Sequence, residues 1–412
     1  MTDTPQTAQP PSATAVALAT ISHAVCDAYG NVYPALVPLV AAAMGFGLVS
    51  GSLVITGVGV ASSILQPVFG EMSDRRGSAL LAPIAFAVVA VCTGLLGLVH
   101  EVVVFLALAA VAGVANGAFH PPSLSLVRSA SGSRPGQYTS VFFMGGTVGR
   151  AVGPVLMVAC AAWLGVAGLA AMAVPGLILA TVLGSAGRRA DRRRAPAAPS
   201  LGAGNEVSTL RRLQGRAAPL AMVMLIAVTG GAATSTISTF WPLLHHHTVA
   251  ALFGSSAVIG VMMLAGSVGT IAGGHAGDRM AHHRVLALAC IATTLSLGAF
   301  ALARGPWIYP FAALAGFFGM SGFAVTTVMG QNLLPDRVAM ASGMVFGVSN
   351  ALTSGIVALL ALAASAWGAT TALLLGAAIC LCGLPAALAY PGVVGRPNGP
   401  VRSDLEAQAA TS

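Results

Sequence analysis

Eleven acidic residues occur in this chain of 412, and Asp27 is the one that falls deep inside a long apolar stretch. Asp3, Asp191, Glu206, Asp336, Asp404 and Glu406 sit in polar segments, and Glu71, Asp74, Asp278 and Glu101 sit at the ends of apolar ones. A carboxylate surrounded by hydrocarbon costs at least about 2.5–3.5 kcal/mol, so it needs a partner or a task. His23 precedes Asp27 by four residues and Asn31 follows it by four. Steps of four drift by only about 40° around a helix, so the three form one polar stripe. Asn116 and His120 make a second stripe of the same spacing. Arg150 is the one basic residue deep within an apolar segment rather than at its end. At 1.5 Å per residue, Asp27 lies about 18 Å and Arg150 about 20 Å from the same membrane face, so the two can meet.

Burial favours the protonated carboxyl, whereas a neighbouring cation favours the carboxylate. A group held between those pulls can trade a proton for another ligand. Proton coupling is therefore the chemistry expected of Asp27, His23 and His120. A permanent Asp27–Arg150 pair that ties two helices together is the plainer alternative. Arg150 also suits an anionic substrate group, because guanidinium matches carboxylate or phosphonate. His120 stands before Pro121 and Pro122 and can instead satisfy carbonyls that the prolines free. His245, His246 and His247 are adjacent, but no carboxylate or cysteine near them completes a metal site. Six cysteines (Cys26, Cys92, Cys160, Cys290, Cys380 and Cys382) show no C-x-x-C and no metal-like spacing. Neither a resident metal nor another cofactor is expected.

The elements that carry these residues follow from composition. The hydrophobic fraction is 56%, charged residues are 7%, and the mean hydropathy is +0.87. Soluble domains carry roughly 25% charged residues, so soluble enzymes, nucleic-acid binders and disordered proteins are poor readings. Twelve segments are long and apolar enough to span a bilayer, near 15–42, 49–72, 78–98, 102–129, 137–161, 164–187, 218–243, 252–275, 284–303, 307–333, 340–364 and 368–390. They divide the chain into a tail at 1–14, a six-helix bundle at 15–187, a basic linker at 188–217, a second bundle at 218–390 and a tail at 391–412. The net charge of +8 rests on nineteen arginines and no lysine. With a cytoplasmic N-terminus, seventeen arginines fall on the cytoplasmic side and one, Arg304, outside. That bias predicts both termini in the cytoplasm of a multi-pass protein of the cytoplasmic (inner) membrane. The first residues are polar without a basic start, so no cleaved signal peptide is expected.

The chain also repeats itself at half its length. Gly70, Asp74 and Arg75 end the second segment as G-x-x-x-D-R, and Gly274, Asp278 and Arg279 end the eighth, 204 residues on. The same offset pairs Pro38 with Pro242, Phe119 with Phe323 and Phe142 with Phe346. Two parallel six-helix halves about a membrane-normal axis are one known transporter plan, and the chain resembles the major facilitator superfamily along nearly its whole length. The residues from Gly70 to Gly77 resemble that superfamily's loop motif. The resemblance implies that Asp74 and Arg75, with the weaker copy at Asp278 and Arg279, latch helix ends and gate the cytoplasmic side. Gly149, Gly153 and Pro154 fit its G-x-x-x-G-P antiporter motif, which is associated with export. Ala109 stands near the place of the arginine in the helix 4 motif of common drug exporters.

A narrower likeness covers about residues 23–160. His23-x-x-x-Asp27, Gly117-Ala118-Phe119-His120-Pro121, Ala130-Ser131-Gly132 and Gly145-Gly146 are similar to the fosmidomycin-resistance-like exporters. Arg150 and Pro122 depart from that pattern. By resemblance, the first and fourth helices, with Asn31 and Asn116, line a central cavity. So do the seventh, carrying Thr234, Ser235, Thr236, Ser238 and Thr239, and the tenth, carrying Phe323, Thr327 and Gln331. Ordinary helix packing is the plainer reading of most of these hydroxyls, and Trp241 reads as an interfacial anchor.

The expected fold is thus all-α and integral to the membrane: twelve transmembrane helices in two pseudo-symmetric six-helix bundles. The expected function is a monomeric, alternating-access antiporter that exports a small organic molecule, fosmidomycin-like or another antibiotic, against protons. Its partners are that substrate, protons and the lipid bilayer. No Walker A pattern occurs, so ATP coupling is not expected, nor is nucleic acid or enzymatic chemistry. Proton-coupled uptake of an organic anion is the rival within transport, and a non-transporting membrane sensor the rival outside it.

Overall fold

Inside hydrocarbon each backbone N–H and C=O must find its partner within its own segment, which leaves helices for apolar runs of this length. The computed structural model describes residues 12–30, 48–76, 78–193, 215–244 and 249–394, and among them there is no strand. Asn31, Gly77, His245, His246 and His247 lie outside the described residues, as do most of both tails and most of the linker.

The first bundle comprises α1 (Ala13–Gly30), α2 (Leu48–Arg76), α3 (Ser78–Leu95), α4 (Val102–Ala130), α5 (Pro135–Leu164) and α6 (Ala173–Arg193). The second comprises α7 (Ala217–Leu244), α8 (Val249–Gly277), α9 (His282–Leu302) and α10 (Ile308–Leu333), followed by two interrupted rods. Rod α11 runs through Val338–Ser342, a π-helical turn at Gly343–Val348, and Ser349–Trp367. Rod α12 joins Ala369–Leu381 to Leu384–Val394. Ten of the helices are, among the described residues, long and apolar enough to cross a membrane. One boundary and one side chain differ from the reading of the sequence. Helix α6 runs on to Arg193, so the arginine cluster begins as its last turns rather than as the linker. Trp241 is buried against Phe300, with ring centroids 4.8 Å apart, and is not an exposed anchor.

Close backbone approach sets the helix pairing. In the first bundle α1 lies on α5, α2 on α4 and α3 on α6; in the second α7 lies on α11, α8 on α10 and α9 on α12. Gly145, Gly149 and Gly153 recur every fourth residue on α5, and a Cβ at each would overlap the carbonyls of Thr20, Ala24 and Ala28 on α1. The antiporter-type glycines therefore bring α1 and α5 into backbone contact. Between the halves, α5 faces α8 and α10, while α2 faces α11.

Candidate functional site

The α1–α5 contact places Arg150 beside Asp27. Arg150 Nη1 donates to Asp27 Oδ2 at 2.6 Å, and its Nη2 donates to Thr147 Oγ1 at 3.2 Å. Asp27 is 2% exposed, His23 0% and His120 4%. The Arg150 side chain, by contrast, is 39% exposed, so the guanidinium is the accessible member of the cluster. His23 Nε2 lies 3.4 Å from Asp27 Oδ2, and His120 Nε2 lies 3.3 Å from Oδ1.

The opposite nitrogen of each ring is tied to backbone. His23 Nδ1 is 2.7 Å from the Phe142 carbonyl, and His120 Nδ1 is 2.8 Å from the Asn116 carbonyl. A carbonyl only accepts, so both Nδ1 atoms carry the proton and both Nε2 atoms are turned to the carboxylate. His120 Nδ1 takes a backbone carbonyl one residue before those that Pro121 and Pro122 free, and its Nε2 faces the acid. Asn116 Nδ2 reaches the Cys26 carbonyl at 3.4 Å and ties α4 to α1.

An aromatic collar, which the reading of the sequence did not assign to the site, surrounds the cluster. Phe142 stacks on His23 with centroids 4.0 Å apart. Phe346, from the π-helical turn of the other half, lies 5.4 Å from His120 and 5.2 Å from Phe143. The 204-residue offset between Phe142 and Phe346 was the available signal. The residues expected in the second half stay apart from this cluster. Thr327 Oγ1 donates to the Phe323 carbonyl and Gln331 Nε2 to Ser342 Oγ, at 2.9 Å each. Phe323 lines a small apolar cleft with Ala227, Gly230 and Thr326.

At the arginine-rich ends, two matched contacts cross between the halves. Asp74 accepts from the Ala339 and Met340 amides at 3.0 and 2.9 Å, capping the start of α11. Asp278 accepts from the Gly136 and Gln137 amides at 2.7 and 2.8 Å, capping the start of α5. The second pair shifts by one residue because Pro135 has no N–H. Gly70 and Gly274 make room: a Cβ would overlap the carbonyls of Ala339 and Gly136. Negative charge at a helix N-terminus is favourable. Burial nevertheless pushes the Asp74 carboxyl above the ordinary aspartate range, against the pull of the two amides and Arg337.

The motif's arginines act differently from its aspartates. Arg75 Nε donates to Glu71 at 2.7 Å on its own helix, and Glu71 also pairs with Arg337 across the halves at 3.3 Å. Glu71 is therefore the missed member of this latch. Arg279 contacts His275 on its own helix. On the axis between the halves, Arg128 Nη2 donates to Asn332 Oδ1 at 2.7 Å.

Residues 17–362 match the model of the Major Facilitator Superfamily. The fosmidomycin resistance protein of Escherichia coli (strain K12) is 26% identical over 338 residues, covering 79% of this chain and 80% of that protein. An uncharacterized MFS-type transporter of Bacillus subtilis (strain 168) is 27% identical over 345 residues, covering 80% and 81%. Among solved structures, a fucose:proton symporter of E. coli aligns with a TM-score of 0.68 at 14% identity, covering 92% of this chain and 98% of that one. A human organic anion transporter aligns at 0.64, also at 14% identity, covering 92% and 100%.

Proposed function

Since the chain belongs to the Major Facilitator Superfamily, we propose that it exports a small organic molecule in exchange for protons, by rocking its two halves around a central site. It resides in the cytoplasmic membrane, with the arginine-rich ends and both termini on the cytoplasmic side. The observation that carries this reading is the Asp27 cluster: a buried carboxylate between two imidazoles, bonded to one half-exposed guanidinium. The latches at Asp74 and Asp278 hold the cytoplasmic side shut in this conformer, so the site exchanges with the outside. Opening the latches and closing the far side completes the cycle. The name of the E. coli relative supports fosmidomycin-like compounds as first candidates.

Arg150 favours a second reading, cotransport with an organic anion. An anion that draws Arg150 off Asp27 leaves the bare carboxylate a stronger base, so anion and proton then bind together. A substrate that competes with the proton for Asp27 itself gives exchange instead. Linkage is reciprocal, so the sign of the coupling decides between them.

The test is reconstitution of the wild type and Asp27→Asn in liposomes with an internal pH dye, under gradients of fosmidomycin and a small panel of metabolites. Opposed proton and substrate movement, reduced at least about 100-fold in the variant, is the expected result. Movement in the same direction selects cotransport. Proton movement that persists in Asp27→Asn would return Asp27 to a structural role.

A further inference from the structure

A proton that enters the Asp27 cluster has three groups to sit on, and their hydrogen bonds tell them apart. Nδ1–H of His23 is committed to the Phe142 carbonyl and Nδ1–H of His120 to the Asn116 carbonyl, so each ring gains a proton only at Nε2. The two Nε2 atoms face different oxygens of one carboxylate: His120 lies 3.3 Å from Oδ1, and His23 lies 3.4 Å from Oδ2. Oδ2 also accepts from Arg150 Nη1 at 2.6 Å. A cation in contact favours a carboxylate over the neutral acid. Imidazole is also the stronger base of the two, by roughly 400-fold in water. An added proton therefore makes an imidazolium bonded to a charged oxygen, rather than an acid bonded to a neutral ring.

We propose that the exchanged proton is carried by His120, as an imidazolium at Nε2, while Asp27 stays a carboxylate and serves as its counter-ion. The assignment rests on the proton-coupled transport reading and moves the carrier from the acid to the ring. Three observations select His120 over His23. His120 faces Oδ1, whereas His23 shares Oδ2 with Arg150. His23 is fully buried and walled by its own half: Phe142 stacks on it, Phe119 lies 6.2 Å away, and a Cβ at Gly146 would overlap its ring. His120, by contrast, touches the other half, where Phe346 from the π-helical turn of α11 lies 5.4 Å from it. Rocking of the halves therefore changes what covers His120 and leaves the walls of His23 in place. The two imidazole centroids are 5.0 Å apart, so a second positive ring is disfavoured and the cluster loads one proton at a time. Among the described residues, the charged and titratable groups around His120 are Asp27 and His23 of α1 and Arg150 of α5, with the Cys26 thiol beside Asn116. With Asp27 and Arg150 opposed, the unloaded cluster is neutral and the loaded one carries a single positive charge.

The carrier is tested by signals that transport does not enter. Full-length protein in lipid nanodiscs, with isotope-labelled histidine, is acidified stepwise from a mildly alkaline pH. Ring-nitrogen NMR shifts report imidazolium, and the infrared C=O band of an un-ionised carboxyl reports a protonated Asp27. The expected result is an imidazolium signal that His120→Gln removes and His23→Gln keeps, with no acid band that Asp27→Asn removes. The infrared reading needs no histidine variant, so a His120→Gln protein that folds poorly leaves the test sound. An acid band in the wild type that Asp27→Asn removes overturns the proposal. So does an imidazolium that survives His120→Gln and is lost in His23→Gln, or the absence of any imidazolium that either change removes. An imidazolium at His120 in a protein that moves no protons with or against a substrate overturns the transport reading alone. Proton-coupled transport with the acid band at Asp27 overturns this assignment alone.

Discussion

The two halves share one frame and differ in what they bury. At the 204-residue offset, Gly149 against the Ala24 carbonyl in the first half becomes Thr353 bonded to the Val228 carbonyl in the second, at 3.2 Å. The register of α1 on α5 is thus kept by α7 on α11. Phe119 and Phe142 keep their mates at Phe323 and Phe346. The charged cluster does not: His23, Asp27, His120 and Arg150 correspond to Ala227, Gly231, Ala324 and Ser354. Of these four, Ala227 lines the apolar cleft of the second half, beside Phe323. A buried charge is affordable only with partners. One half carries the full set of partners and the other carries none of it, which concentrates the chemistry without disturbing the frame.

The sharpest way to break this comparison is to exchange its two helix contacts. Gly149→Val would drive a side chain into the Ala24 carbonyl and part α1 from α5. It would separate Arg150 from Asp27 as well as overpack the interface. Breaking a buried pair costs about 3–5 kcal/mol, so thermal unfolding in detergent should show a large fall in Tm. Thr353→Val in the second half keeps the volume and loses one hydrogen bond, worth about 0.5–1.5 kcal/mol. Equal losses at the two positions would mean that the halves do not pack as mates.

The frame was the legible part of the chain. Apolar length gave twelve segments because a backbone in lipid has no alternative to the helix, and the D-R motif repeat gave the two halves. The polar stripes on α1 and α4 were legible because a period of four survives in any straight helix, and the matched depths of Asp27 and Arg150 anticipated their bond. What escaped lies between helices distant in sequence. Glu71 reads as a helix-end acid until Arg337 arrives from the other half. Phe346 reads as core until the π-helical turn of α11 sets it under His120. Trp241 reads as an anchor by type, but its depth against Phe300 depends on how α7 meets α9. A sequence lists the faces of each helix; it does not state which faces meet.

The latches sharpen the comparison at intermediate size. Asp74→Ala and Asp278→Ala each strip two amides of a charged acceptor at a helix start. A hydrogen bond to a charged group contributes about 1.5–3 kcal/mol. Each variant should therefore shift the protein toward the conformer open at its arginine-rich ends by at least about tenfold. Hydrogen exchange reads them separately: faster exchange at Ala339 and Met340 in the first variant, and at Gly136 and Gln137 in the second. If either substitution loosened both sites equally, the two latches would be one cooperative closure rather than independent contacts.

Arg128→Gln should have the smallest effect, and that smallness is informative. Arg128 bonds Asn332, its own mate at the repeat offset, so the axis between the halves passes through this contact. It lies at the exposed end of the interface, where a charged group is worth less than about 1 kcal/mol. A change in opening at the arginine-rich ends of less than about fivefold, measured by the same amide exchange, is the expected outcome. A larger shift would make the axis itself a third latch. The closure would then depend on a point that both halves share, rather than on two aspartates that each half contributes separately.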